Sequence, residues 1–283
     1  RFMHEFNVSE ILGIVGAFGC TFKANCKLDM TKYAVKRITS EPKSLEKTLD
    51  IARSMAKLDH TGIIRYNCVW VEQPPEGWQK NADDEIVKNI RSTQLLSYNP
   101  SSAFIYIQMQ LCKHSLESWL SENAVRDDSQ MIGWFKQIVR AMEYLHAQGL
   151  IHGNLKPSNI LFADTDRLKV SDAGFRVDGD YYADRNSICS ILYKSPEQSE
   201  WKSTPKTDIF QLGLIFAEMC VVMDNSKRSE VFHNYRIGVR NTVLEHLPEV
   251  EKLANSLTNI KCSNRPDCRE ILGSSFLNNI EDI

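Results

Sequence analysis

The run Ile151-His152-Gly153-Asn154-Leu155-Lys156-Pro157-Ser158-Asn159-Ile160-Leu161-Phe162 decides how this chain of 283 residues is read. An imidazole, two carboxamides and an ammonium crowd into a short polar segment, which then enters an apolar triplet with the composition of a strand. Asn154 lies at its centre. A carboxamide has no affinity for a proton at neutral pH and cannot act as a base as a carboxylate does. Upstream, Met131, Trp134, Phe135, Ile138, Met142 and Leu145 recur on one helical face from Gln130 to His146, and Gly149 marks the stop. Downstream, Leu168-Lys169-Val170-Ser171-Asp172-Ala173-Gly174 predicts a second strand and an Asp-x-Gly turn.

This spacing resembles the catalytic loop of protein kinases, H-R-D-L-x-x-x-N, in which the Asp is the catalytic base and the Asn holds a second magnesium. In that frame Asn154 occupies the base position, Gly153 the arginine position, and Lys156 is kept. Asp172 stands at the magnesium-binding aspartate of D-F-G, and Ala173 replaces the phenylalanine. An Asp-x-Gly alone is an ordinary turn; after a strand-like run at this distance from Asn159 it takes the kinase reading. The resemblance implies Asn159 and Asp172 as ligands of Mg2+ and Leu161 among the nucleotide contacts.

Working towards the amino terminus, Asn7 to Leu12, Gly19 to Ala24 and Lys32 to Ile38 predict three strands. Ile14-Val15-Gly16-Ala17-Phe18-Gly19 fills the frame of a G-x-G-x-x-G loop, with Ile14 at the first glycine and Gly16 and Gly19 at the others. A glycine-rich hairpin is by default a β-turn. Tyr33-Ala34-Val35-Lys36, at the distance of the kinase strand V-A-I-K, favours the phosphate reading and marks Lys36 as the phosphate-pairing lysine. Leu45, Leu49, Ala52, Met55 and Ala56 predict a helix over 44–58. In active kinases a glutamate of this helix pairs with the strand lysine. Here that position is Ile51, and Asp50 points about 100° away around the axis.

Strands are expected over 63–71 and 104–110, joined by a polar segment with Pro74-Pro75 and Asp83-Asp84-Glu85, read as a loop over 73–102. The runs Ile64 to Trp78 and Ile105 to Cys112 resemble the kinases of translation initiation factor 2 α, most of all the endoplasmic-reticulum-resident member. That family has an insert between these strands. The resemblance implies Met109 as gatekeeper and Gln110-Leu111-Cys112 as the hinge facing an adenine. It implies an α+β, bilobal kinase-like fold: a β-rich small lobe over 1–111 and a mainly helical large lobe over 112–283. Phe175 to Lys194 then reads as an activation loop with Ser187 and Ser190. Ser195-Pro196-Glu197 resembles A-P-E, with Glu197 paired to Arg265, and Thr207 to Met219 resembles the family's buried central helix.

Composition narrows the partners. A hydrophobic content of 42% supports a large core, and a net charge of −2 gives no footprint for nucleic acid. No apolar run of membrane-spanning length occurs, and the chain starts at Arg1 without a signal peptide, so no membrane is expected for this fragment. The eight cysteines form no C-x-x-C pair and read as reduced thiols of a cytoplasmic domain.

Arg1-Phe2-Met3-His4-Glu5-Phe6 resembles the segment through which initiation-factor kinases dimerise back to back, with Arg1 pairing Glu5 across a two-fold axis and Tyr66 and Tyr33 nearby. The plain alternative is a solvated ion pair worth under about 1 kcal/mol. With Asn154, Ile51, Ala173 and Ile14 at four motif positions, the sequence predicts a pseudokinase. Its expected role is a regulatory scaffold in translation control under stress, as a homodimer or a heterodimer with an active initiation factor 2 α kinase. Two alternatives stand beside it: a weak serine/threonine kinase on initiation factor 2 α, or a decoy that binds that factor. Binding of ATP stays open both ways, because Lys36, Asn159 and Asp172 remain while Ile14 and Thr21 alter the pocket.

Overall fold

The computed structural model describes residues 1–15, 19–40, 44–90, 103–164, 166–173, 192–200 and 203–278. It divides into two compact units. Among the described residues, the first holds Arg1–Asp59 and Ile64–Leu111, and the second holds His60–Ile63 and everything from Cys112 onward.

The first unit starts with the short helix α1 (Phe2–Glu5), then strands β1 (Phe6–Val15), β2 (Gly19–Cys26) and β3 (Lys32–Ser40), helix α2 (Leu45–Ala56), strand β4 (Tyr66–Glu72), helix α3 (Trp78–Asn89) and strand β5 (Ala103–Gln110). Its strands form one antiparallel sheet in the order β1-β2-β3-β5-β4. Residues alternate faces along a strand, so cross-strand partners identify each face. Cys20 pairs with Arg37, Arg37 with Tyr106, and Tyr106 with Trp70, which places all four on one face. There Phe2, Phe6, Phe22, Trp70, Phe104 and Tyr106 make an aromatic core that Ile86 joins. Thr21, Lys36 and Ile107 share the opposite face. With both faces covered, β3 is buried from Ala34 to Ser40.

The structure corrects one expectation here. Residues 78–89 of the supposed loop over 73–102 are helical, as α3, with Gln79, Ala82, Asp83 and Ile86 buried at helical spacing. The residues run one turn apart, but two of the four are polar, so the stripe does not read as apolar. Residues 91–102 lie outside the described residues.

The second unit contains β6 (His114–Ser115), α4 (Leu116–Glu122), α5 (Asp128–Ala147), β7 (Ile160–Phe162), β8 (Leu168–Val170), α6 (Pro205–Cys220), α7 (Asn225–Ile237), α8 (Pro248–Leu257), α9 (Cys268–Leu272) and α10 (Ser275–Asn278). β6, β7 and β8 make a small antiparallel sheet. Asp127 caps α5 by accepting the Gln130 N–H at 2.7 Å, and Gly149, at φ +72°, takes the left-handed conformation past its end. Every residue of α6 from Thr207 to Cys220 is buried, which explains its apolar character all round. Its buried polar residues are Thr207, Asp208, Gln211 and Glu218, and of these Asp208 and Gln211 hold the loop described next. No described helix is long and apolar enough to cross a membrane.

Candidate functional site

In the second unit, the segment 152–159 is built on carboxylate and amide groups from α6. Asp208 is fully buried. Its Oδ1 accepts the Gly153 N–H at 2.7 Å, and its Oδ2 accepts the His152 N–H at 2.9 Å while lying 2.9 Å from His146 Nε2. Gln211 Oε1 accepts the Leu155 N–H at 3.0 Å. Gly153 sits at φ +74°, a region that suits glycine and strains an arginine.

His152 is buried, and its two ring contacts fix one tautomer. Nε2 donates to the Ser171 carbonyl at 2.9 Å, and Nδ1 accepts the Asn154 N–H at 3.3 Å. Both bonds are satisfied by the neutral ring, and burial lowers its pKa, outweighing the pull of Asp208. The ring therefore ties the segment around Asn154 to the backbone beside Asp172.

Asn159 closes the same ring of contacts. Its Nδ2 donates to the Asn154 carbonyl at 2.9 Å, and its own carbonyl accepts the Ser171 N–H at 2.9 Å and Oγ at 3.1 Å. Asp172 is half-buried at φ +61°, a left-handed backbone that Asp tolerates through its short polar side chain. Ala173 is buried and supplies no ring. Asn154, Lys156 and Leu161 are half-buried. Cys112, also half-buried, has its thiol pushed up to about 11 by burial, against the pull of Lys169. Thus the structure brings Asn154, Asn159 and Asp172 into one hydrogen-bonded neighbourhood, with carboxylate chemistry only at Asp172.

In the first unit, Lys36 is buried in β3 between Thr21 of β2 and Ile107 of β5, on the face that also carries Ala34 and Met109. Gln110, half-buried, donates its N–H to the Arg65 carbonyl at 3.1 Å. A Cβ on Gly19 would lie 2.9 Å from the Arg37 carbonyl oxygen, so glycine is required there by the approach of β3. Gly16, Gly174, Ser187 and Ser190 fall outside the described residues.

Helix α2 supplies no carboxylate to the sheet. Its buried residues are Thr48, Ala52 and Met55, and Ile51 is half-buried. Its acidic residues, Glu46 and Asp50, are 77% and 70% exposed and both bond Arg53, at 3.2 and 2.8 Å.

The predicted Glu197–Arg265 pair is present, with Nη1 to Oε1 at 2.6 Å and Nη2 to Oε2 at 2.9 Å. Arg265 is fully buried, stacks over Phe210 and also donates to the carbonyls of Asn259 and Lys206. Among the described residues, no group of three His, Cys, Asp or Glu side chains is arranged to hold a metal ion. Sequence reasoning gave Asp208 and Gln211 no role. The signal was available, because a carboxylate in an otherwise apolar helix needs donors to satisfy it.

A five-stranded antiparallel sheet with a buried lysine on β3, and a helical unit whose central helix holds a His-x-Asn segment, form the frame of one family. Residues 6–277 match the protein kinase domain. The chain belongs to the protein kinase family. The interferon-induced, double-stranded RNA-activated protein kinase of Rattus norvegicus is 32% identical over 280 residues, covering 96% of this chain and 52% of that relative. Eukaryotic translation initiation factor 2-alpha kinase pek-1 of Caenorhabditis elegans is 23% identical, covering 98% of this chain and 44% of the relative. Eukaryotic translation initiation factor 2-alpha kinase 3 of Bos taurus is 40% identical over 141 residues, covering 42% of this chain and 13% of the relative. This kinase domain is thus homologous to the initiation factor 2-alpha kinases, and it spans about half the length of the first of these relatives.

Proposed function

We propose that this kinase domain is catalytically inactive, a pseudokinase of the initiation factor 2-alpha kinase family that acts as a regulatory scaffold. The observation that supports the reading is a carboxamide at Asn154, on a backbone held by the bonds of Asp208 to Gly153 and of His152 and Asn159 to Asn154 itself. A base contributes roughly 10² to 10⁴ fold to such a reaction. The buried face of α2, which carries no carboxylate, and the alanine at 173 remove two further parts that phosphoryl transfer uses. Lys36, Asn159 and Asp172 are the groups suited to hold ATP and Mg2+, which supply the phosphoryl donor and charge neutralisation in kinases. Within the family, the resemblance of the Ile64 to Trp78 and Ile105 to Cys112 runs supports kinship with the endoplasmic-reticulum-resident member. The seven described cysteines are all free thiols, in keeping with a reducing, cytoplasmic setting.

The scaffold works by pairing of first units, as a homodimer or with an active relative. Arg1 and Glu5 are exposed at one end of the sheet, where Arg1 Nε lies 2.9 Å from Glu5 Oε2 of the same chain and the guanidinium stacks over Trp70 at 4.6 Å. A two-fold contact exchanges this pair for the same pair between chains, so the pair supplies register and adds little affinity. The Tyr33 hydroxyl donates to Asp29 at 2.8 Å on a half-buried strand position, and Tyr66 is buried in β4.

Radiolabel transfer from ATP to initiation factor 2 α by the purified domain, with Asp172→Ala as control, is expected to stay at background; transfer at the pace of an active relative refutes the reading. In that case the domain is a serine/threonine kinase. Sedimentation is expected to show a dimer that Arg1→Glu disperses, and an unchanged profile removes the pairing. A pulldown of initiation factor 2 α without label transfer would indicate a decoy instead.

A further inference from the structure

The outer face of the sheet carries a feature that the proposed function leaves unused, a buried ion pair joining β3 to α3. The side chains of Arg37 and Asp83 are 3% and 4% exposed. They meet as a fork, Nη1 to Oδ1 at 2.6 Å and Nη2 to Oδ2 at 2.9 Å. Gln79, one turn earlier in α3, donates Nε2 to Oδ1 at 2.9 Å. The rings of Phe22 and Phe104 flank the guanidinium at 5.4 and 5.3 Å. Burial disfavours the charged guanidinium, and the hydrogen bonds of Asp83 outweigh it, so Arg37 stays charged.

Among the described residues, the apolar attachment of α3 beyond this pair is small: Ile86 sits in the aromatic core and Ile90, just past the helix, packs half-buried against it. The fully buried residues of α3 are Gln79, Ala82, Asp83 and Ile86, so one isoleucine and one alanine are the buried apolar share, and the two polar residues belong to the Arg37 network. Helix α1 covers the same face but is fixed independently. Phe2 stacks on Tyr106 at 4.9 Å, and its N–H donates to Glu72 at 2.8 Å. Removing one partner of a buried pair strands a charge, whereas detaching the whole helix returns both charges to water. A helix held this way has two arrangements, docked with the pair closed or released with both groups hydrated. The chain enters α3 through Pro74, Pro75 and Gly77, the last at φ +79°, which suits a hinge.

We infer that α3 is a latch: the Arg37–Asp83 pair fastens it to the outer face of β3, and it releases as a unit while β2, β3 and β5 stay folded. Release uncovers Phe22, Phe104 and Arg37, directly behind Lys36, which precedes Arg37 in β3. Such sub-global opening is expected of elements with few buried apolar contacts.

Hydrogen exchange of the unmodified domain in increasing, sub-denaturing urea tests the latch directly. Peptides within 78–89 are expected to exchange at least about tenfold faster than those of β3 and β5, through an opening with little urea dependence. Asp83→Asn is expected to speed exchange in α3 by roughly 100-fold and leave β5 within about twofold. The apolar double substitution Arg37→Met with Asp83→Leu is expected to restore protection to within about tenfold of the unmodified protein, because neither charge then remains to be stranded. The latch is overturned by α3 and β5 exchanging together in the unmodified domain, by Asp83→Asn leaving α3 unchanged, or by the double substitution failing to restore it. Should Asp83→Asn not fold, the urea series on the unmodified protein still decides.

Discussion

Replacing Asp208 with Asn tests whether the α6 carboxylate is what holds the segment around Asn154. The two Asp208 oxygens together serve three donors: Gly153 N–H at 2.7 Å, His152 N–H at 2.9 Å and His146 Nε2 at 2.9 Å. Asn offers one acceptor oxygen. With that oxygen towards Gly153, the NH2 group faces the His152 N–H; turned the other way, it faces the Gly153 N–H. Either arrangement strands one buried backbone donor, at about 1–3 kcal/mol, and the bonds that survive lose their charge assistance, about 1 kcal/mol more. The sum is roughly 3 kcal/mol, and at about 2 °C per kcal/mol for a domain of this size Tm should fall by about 6 °C. Thermal unfolding followed by circular dichroism reads this, together with faster hydrogen exchange at 152–155. A Tm within about 1 °C of the unmodified protein, with unchanged exchange in the segment, would refute the assignment.

Asn154→Asp by itself is expected to leave radiolabel transfer to initiation factor 2 α at background, because Ile51 and Ala173 still withhold their parts; transfer at an ordinary kinase rate would show that the base alone was missing. Arg265→Met strands Glu197 and should cost about 3–5 kcal/mol in urea unfolding. Burial works against the Glu197 carboxylate, but the Arg265 hydrogen bonds outweigh it and hold its pKa below 4.5. That contribution is therefore complete above the unfolded pKa and lost as pH falls through the lower folded value, so Arg265→Met should flatten the acid limb below about pH 4.5. An unaltered limb would refute the linkage. His152 runs the other way in charge but not in sign. Burial lowers its folded pKa below 6.5, so the unfolded chain binds the extra proton and stability should fall as pH drops from about 7.5 to 5.5, by up to about 1.4 kcal/mol per unit. A flat profile across that window in urea titrations would contradict a buried neutral ring.

The parts of the fold that were legible in the sequence are those whose burial is apolar and periodic. Met131 to Leu145 announce α5, and the alternation of Phe22 and Ala24 with polar neighbours announces β2. Helix α3 was hidden because its buried face is half polar: Asp83 satisfies Arg37, a partner 46 positions away that no local pattern reveals, and Gln79 donates to Asp83. The same limit applies to Asp208, whose three donors come from two other parts of the chain. Arg1 and Glu5, read as partners across a two-fold axis, are also i and i+4 at the start of a short helix, and within one chain they pair with each other. The site itself was legible by residue type, since Asn154, Asn159 and Asp172 do converge. The bonds that place them were not, because they run through backbone carbonyls and one histidine tautomer.

The residues that the chain keeps from its family's motifs and those it lacks are under different physical constraints. Asp208, His152 and the Glu197–Arg265 pair satisfy backbone or charged groups that are buried whether or not any reaction occurs. Losing any of them costs about 3 kcal/mol or more out of a total stability of about 5–15, so the fold itself resists change at these positions. The departures fall where the fold is indifferent. Asn154 is the isostere of the aspartate it stands in for and still gives its N–H to His152 and its carbonyl to Asn159. Ile51 is half-buried on a helix whose buried residues, Thr48, Ala52 and Met55, carry no charge, and Ala173 is buried without a polar side-chain atom to satisfy. A chain selected for turnover is constrained at both sets of positions, whereas a chain selected for presenting a kinase-shaped surface is constrained only at the first. That distribution supports the proposed scaffold role, which needs the buried framework but no group for proton abstraction.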